Sequence, residues 1–132
     1  IAAGATFVAR SWSGDVAHLS ETIVQAVQHR GYALIDVLQP CVTFNRPYDY
    51  DFYRPRVYNV NDDPAYDPAD RMAAFQKAQE WGERIPIGIL YRVEDRPTYE
   101  EQDVALVAGP LVKQPFRAWT EADYEALRQE YM

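Results

Sequence analysis

The stretch Leu38-Gln39-Pro40-Cys41-Val42-Thr43-Phe44-Asn45 carries the single cysteine of the chain and follows a run, Tyr32 to Leu38, that reads as a buried strand. In an open α/β sheet, ligands gather just beyond the carboxyl ends of the strands. A lone thiol there is placed for cofactor chemistry rather than for a disulfide. A thiolate can act as a nucleophile, a redox partner or a soft metal ligand. As a nucleophile Cys41 needs a base within hydrogen-bond reach. His18, near the start of the first helix, lies at the same end of the sheet and could serve, although no third group is evident to orient it. As a metal ligand Cys41 needs companions that this chain lacks, so it would complete a site built by another segment. The plainer alternative is a buried structural thiol, a common fate for a free cysteine.

The other reactive groups have plainer readings too. His18 and His29 are the only histidines. They lie about 16 Å apart along one helix at ~1.5 Å per residue, too far to share a metal ion. Each is expected on the helix surface, and His29 suits the negative helix end. Asp36 sits inside an apolar strand, where a carboxylate is either paired or functional. Arg10 on the neighbouring strand is the available partner. From Arg46 to Tyr58, three arginines (Arg46, Arg54, Arg56) interleave with five aromatics. Such a pattern can stack on single-stranded nucleic acid, but Asp49 and Asp51 cancel much of the charge. Anchoring against another segment or subunit is the favoured reading. A glycine-rich phosphate loop, a dinucleotide fingerprint and a Ser/His/Asp arrangement are all missing from the sequence.

These groups must be positioned by an α/β framework. Ala5 to Arg10 reads as a short strand, and Ser11 to Asp15 as a turn with helix-capping residues. Val16 to Arg30 is an amphipathic helix, with Val16, Leu19, Ile23, Ala26 and Val27 at three- and four-residue steps. Gly31 fits the left-handed residue past its end. Tyr32 to Leu38 is nearly continuously apolar, as in a parallel strand covered on both faces. Together they form a β-α-β core with parallel strands. Residues 45–66 read as an extended aromatic arm, because Pro47 and Pro55 exclude a central strand. Asp67-Pro68-Ala69-Asp70 starts a second helix, with Asp67 as the cap, running to about Trp81 and ended by Gly82. Ile85 to Tyr91 is a third strand. Arg92 to Ala118 is an irregular tail, and Thr120 to Asp123 caps a last helix through Tyr131. This divides the chain into residues 1–93, which include the arm, and a tail, 94–132.

Composition narrows the function. The chain has 132 residues and a net charge of −7, which opposes binding to nucleic acid or to an anionic membrane surface. No apolar run has the length of a membrane span. One cysteine cannot form an internal disulfide, so a reducing cytoplasm is the expected location. The start, Ile1-Ala2-Ala3-Gly4, has no initiator methionine and no polar lead-in. It is expected to be an internal point of a longer polypeptide.

Several strings match one family in order. They are Gly4-Ala5-Thr6-Phe7-Val8-Ala9-Arg10, Ser13-Gly14-Asp15, and Asp36-Val37-Leu38-Gln39-Pro40-Cys41-Val42-Thr43-Phe44-Asn45. Tyr66-Asp67-Pro68, Ala73-Ala74-Phe75, Ile85-Pro86-Ile87-Gly88-Ile89 and Arg96-Pro97-Thr98-Tyr99-Glu100-Glu101 follow. Through them the chain resembles the carboxyl-terminal half of the β subunit of 2-oxoacid:ferredoxin oxidoreductases, thiamine-diphosphate enzymes that include pyruvate:ferredoxin oxidoreductase. The resemblance implies a partial thiamine-diphosphate-binding fold. It implies a reaction in which a 2-oxoacid and coenzyme A give acyl-coenzyme A and carbon dioxide, with electrons passed to ferredoxin. It also implies that Cys41 is the fourth thiolate of a 4Fe–4S cluster, the other three coming from the missing amino-terminal part of the subunit. The family's motif for diphosphate and Mg2+, Gly-Asp-Gly with a downstream asparagine pair, is not in this chain. No residue here is therefore assigned to thiamine diphosphate, and none a catalytic role. The α subunit is an implied partner. The chain alone is expected to be inactive and to hold no stable cluster. Two alternatives stand beside this: a non-catalytic scaffold module that kept the fold, and a Cys–His thiol enzyme.

Overall fold

The computed structural model describes residues 1–116 and 118–132. They form two compact units, Ile1–Tyr99 and Glu100–Met132. The first contains strand β1 (Phe7–Trp12), helix α1 (Val16–Gln28), strand β2 (Ala33–Leu38), the one-turn helix α2 (Tyr50–Tyr53), strand β3 (Val57–Asn59), helix α3 (Arg71–Ala78) and strand β4 (Ile85–Arg92). The sheet order is β2-β1-β4-β3. β1 and β2 run parallel, from Phe7↔Ala33 to Trp12↔Leu38. β3 and β4 also run parallel, but β1 and β4 meet antiparallel. The expected α/β class and the parallel β-α-β core are present. The third predicted strand adds to that core in the opposite direction.

Burial follows position in the sheet. The central strands β1 and β4 hold the core, with Phe7, Ala9 and Ile85 fully buried and Leu90 nearly so. Each large apolar side chain taken from water contributes about 1.5–3 kcal/mol. One cluster joins Trp12, Leu38, Tyr53, Ile85 and Ile87, and another joins Val8, Ala74 and Tyr91. β2 is an edge strand. Contrary to the sequence expectation it is not covered on both faces: Leu34 is 42% exposed and Val37 39%. The apolar stripe read in α1 is also displaced. Thr22 is its buried residue, whereas Val16, Ile23 and Val27 face solvent.

Local chemistry explains the other departures. β1 extends to Trp12 because Ser11 and Trp12 pair with Val37 and Leu38, leaving Ser13 and Gly14 as the turn before the cap. Asp15 caps α1, accepting from the His18 amide at 3.0 Å. The segment 45–66 is not an extended arm. Asp49 caps α2 by accepting from Phe52 N, and the chain then forms β3 at the sheet edge. Its aromatics pack on one another and on β1, with Tyr53 buried: Tyr48 meets Phe52 edge-on at 4.6 Å, Phe52 meets Tyr53 at 5.2 Å, and Trp12 lies against Tyr50. The cap of α3 is Asp70, which accepts from Met72 N and Ala73 N, while Asp67 closes the preceding turn through Ala69 N. α3 ends at Ala78, short of Trp81. Pro86 is tolerated in β4 because β1 pairs only from Gly88 onward, so one flank of Pro86 has no ladder to feed.

Side chains complete β4 where β3 stops. The Asn61 amide brackets Ile89, accepting from Ile89 N at 2.6 Å and donating to Ile89 O at 3.0 Å. The Tyr66 hydroxyl donates to Leu90 O at 2.6 Å, at the point where the β1–β4 register shifts. Burial pushes the Tyr66 phenol up to about 12. Gly88 sits at φ +106°, and a Cβ there would lie 2.3 Å from Asn59 Oδ1.

Helix α4 (Tyr99–Gln102) is a single turn. Within Glu100–Met132, two short 3-10 turns precede helix α5 (Glu121–Glu130). Thr120 and Asp123 form the expected capping box, each capping the other's backbone amide. Trp119 contacts the Tyr124 ring at 5.4 Å, and the Trp119 indole is 55% exposed.

Candidate functional site

The site is built at the carboxyl end of β2. Ser13 N donates to Leu38 O at 3.0 Å, extending the β1–β2 ladder past its last pair. Gln39 and the buried Pro40 lead out of the sheet, and a turn closes with Asn45 N donating to Cys41 O at 2.9 Å. The Cys41 thiol is free and exposed, so the buried structural reading does not hold. The Phe44 amide, then those of Thr43 and Asn45, point at its sulfur and hold its pKa below the ordinary thiol value. Donors aimed at sulfur favour the charged form. The result is a thiolate-prone sulfur on an open face, a form suited to bind a soft metal.

The histidines do not join it. The His18 ring hydrogen-bonds Ser11 Oγ through Nδ1 at 2.8 Å, and no hydrogen bond links it to Cys41 among the described residues. His29 is not a surface residue. It is buried, its Nε2 lies 2.8 Å from Thr6 Oγ1, and its ring contacts Phe7. Burial, aided by the Arg92 charge, lowers its pKa. No cluster of three or more His, Cys, Asp or Glu side chains is gathered for a metal among the described residues.

Asp36 takes the pairing expected for it. Arg10 Nε donates to its carboxylate at 2.7 Å, and Arg10 also reaches Ala78 O. Two of the three arginines among the aromatics pack at home: Arg56 lies 4.4 Å over the Phe52 ring and Arg54 5.9 Å over Trp12. One group escaped the sequence reading. A cavity of about 740 Å³ opens beside Trp12 and His18, walled by Tyr58, Lys77 and Arg84. Lys77 pairs with Glu80 at 2.7 Å and Tyr58 donates to the same carboxylate. That hydrogen-bonded pair raises the Lys77 pKa and lowers that of Glu80. Its members come from β3, α3 and the loops beside them, so no spacing in the chain announces them.

Residues 41–106, half of the chain, match the family model for the C terminal of the pyruvate ferredoxin oxidoreductase beta subunit. The chain belongs to this family. Among curated relatives, the β subunit of 2-oxoacid:ferredoxin oxidoreductase 1 from Aeropyrum pernix is 49% identical over 111 residues, covering 77% of this chain and 35% of the relative. The 2-oxoacid:ferredoxin oxidoreductase β subunit of Saccharolobus solfataricus is 46% identical, covering 77% and 36%. A solved 2-oxoglutarate:ferredoxin oxidoreductase from Magnetococcus marinus, with 2-oxoglutarate, coenzyme A and succinyl-CoA bound, superposes with a TM-score of 0.72 at 28% identity. It covers 94% of this chain and 40% of that one. The chain thus spans little more than a third of the length of the curated β subunits. The family match begins at Cys41 itself and takes in the aromatic segment, α3 and β4. No helix among the described residues is long and apolar enough to cross a membrane.

Proposed function

We propose that this chain is the thiolate-donating part of a 2-oxoacid:ferredoxin oxidoreductase β subunit, with Cys41 as one ligand of a 4Fe–4S cluster. The observation that carries the reading is the exposed Cys41 sulfur, faced by three backbone amides at the first residue of the family match. In the assembled enzyme, bound thiamine diphosphate with Mg2+ would supply the carbanion chemistry and the cluster would carry electrons singly. The reaction is oxidative decarboxylation of a 2-oxoacid such as pyruvate with coenzyme A, yielding acyl-CoA and carbon dioxide, with ferredoxin as acceptor. The work falls to a complex with an α subunit in the cytoplasm. Residues 1–93 act as the later half of the thiamine-diphosphate-binding domain, and 94–132 as a packing tail.

The residues of this chain have defined tasks in that reading. As a cluster ligand Cys41 would bind through its sulfur as the thiolate. The amides of Thr43, Phe44 and Asn45 stabilise that charge and fix the direction of the lone pairs. The Arg10–Asp36 pair ties β2 to β1 and so holds the strand end from which Cys41 projects. The test is replacement of Cys41 in the assembled α–β enzyme. Cys41→Ala is expected to lower iron and acid-labile sulfide by one cluster's content and to remove one low-temperature EPR signal of the reduced protein. Unchanged iron and an unchanged spectrum in Cys41→Ala would refute the assignment.

A further inference from the structure

The chain passes abruptly from buried to exposed at the end of β2. Leu38 and Pro40 are buried, whereas the Cys41 thiol is exposed. Two apolar side chains just after it are exposed as well, Val42 at 60% and Phe44 at 91%. A single apolar side chain in water needs no explanation. Here two follow an exposed thiol within three residues, and the larger is almost bare.

The turn decides which of them lies beside the sulfur. Asn45 N donates to Cys41 O at 2.9 Å, which closes one turn of helical spacing over residues 41–45. At that spacing residues three apart share a face, while sequence neighbours do not. Cys41 and Phe44 therefore share one side of the turn, and Val42 lies on another. The fold of this chain makes no use of the Phe44 ring. The aromatics that follow pack on each other, from Tyr48 through Phe52 to Tyr53. Among the described residues Phe44 makes no such ring contact and joins neither buried cluster.

Apolar side chains around the ligands of a metal centre control solvent access and local dielectric, and solvent exposure helps to set the potential of an iron–sulfur centre. A thiolate on an open face supplies no such cover by itself. We infer that Phe44 is the water shield of the cluster bound at Cys41. This rests on the reading of Cys41 as a cluster ligand and gives a task to a side chain that binds no iron.

Phe44→Ala and Phe44→Leu in the assembled α–β enzyme, prepared anaerobically, test it. The first readout is the rate at which the visible absorption of the cluster is lost in air. The second is deuterium coupling in the pulsed EPR spectrum of the reduced protein after transfer to D2O. Phe44→Ala is expected to bleach faster by about 10-fold, the scale of substitutions around metal ligands, and to gain deuterium coupling. Phe44→Leu keeps a large apolar side chain and is expected to match the wild type in both. In the 132-residue chain Phe44→Ala is expected to leave thermal melting unchanged, because the ring is exposed; this separates shielding from folding.

Three results overturn the proposal. One is wild-type bleaching with no added deuterium coupling in Phe44→Ala. Another is equal impairment of the Ala and Leu variants. The third is weaker assembly of Phe44→Ala with the α subunit while its cluster bleaches normally, which would make the ring an anchor between subunits. If Phe44→Ala assembles without a cluster, Phe44→Leu decides: wild-type bleaching and coupling support the shield, and a missing cluster overturns it. Loss of iron in Cys41→Ala together with unaltered Phe44→Ala refutes the shield alone, whereas full iron in Cys41→Ala refutes the ligand assignment on which it rests.

Discussion

Acid should loosen the first unit through His29, and Thr6 should set how firmly that side chain is held. His29 is buried, its Nε2 meets Thr6 Oγ1 at 2.8 Å, and its Nδ1 has no hydrogen-bond partner. Thr6→Val keeps the shape and removes the hydroxyl. It strands the second ring nitrogen and deletes the Thr6 hydroxyl bond to Tyr32 O. A buried polar group left unpaired costs about 1–3 kcal/mol, so Thr6→Val should cost about 2 kcal/mol. At the ~4–8 °C per kcal/mol of domains this size, that is a fall in Tm of roughly 8–16 °C. Adding His29→Leu removes the stranded group. The double variant should therefore lose less than the sum of the singles, with a coupling of about 1 kcal/mol. The pH dependence has a definite sign. The folded-state pKa of His29 lies below 6.5, so the unfolded chain takes up the proton first. The stabilisation is fully present above pH 6.5 and is lost as pH falls below it. Urea denaturation at pH 7.5 and 5.5 should show the wild type weakening at the lower pH, and His29→Leu weakening by less. Equal pH slopes in the two proteins, or a strictly additive double variant, would refute this account of the buried pair.

Gly88→Ala should destabilise the first unit by more than about 1 kcal/mol, because the position needs φ +106° and a Cβ would strike the Asn59 amide; thermal melting reads this directly. Thr120→Ala should cost α5 about 1 kcal/mol by removing one half of its capping box, seen as lower helical circular dichroism with the first unit's melting unchanged. After anaerobic reconstitution with iron and sulfide, the 132-residue chain alone should retain no stoichiometric cluster, since Cys41 is its one thiol. Iron analysis and the visible absorption spectrum check that outcome.

Much of the framework was legible because its signals are local. Asp15 and the Thr120–Asp123 box announce helix starts within a few residues, and Ile85 to Tyr91 reads as a strand from composition alone. Strand direction has no such signature, so the antiparallel meeting of β1 and β4 could not be read. Asp67 and Asp70 are both cap-type residues three positions apart, and each carboxylate accepts from backbone amides, so the sequence alone did not separate the turn from the helix start. Apolar residues in β2 marked it as interior, but periodicity does not say which segment supplies the covering layer. His29 was misplaced for a related reason: its partner Thr6 lies at the far end of a crossover, and only the fold brings the two together. The aromatic segment misled because Pro47 and Pro55 exclude a central strand without excluding a capped helical turn between them and an edge strand after it. The Arg10–Asp36 pair was visible because two adjacent strands bring complementary charges to one register.

The three indoles are graded by environment, and this makes the protein its own optical reporter. Trp12 is 5% exposed between Tyr50 and Arg54, whereas Trp81 and Trp119 are about half exposed. Trp12 emission should therefore be blue-shifted and shielded from acrylamide until the sheet melts. Trp119, set beside α5, would follow the carboxyl-terminal unit in the same cuvette. With single-tryptophan variants, one fluorimeter could follow the melting of each unit without an added dye.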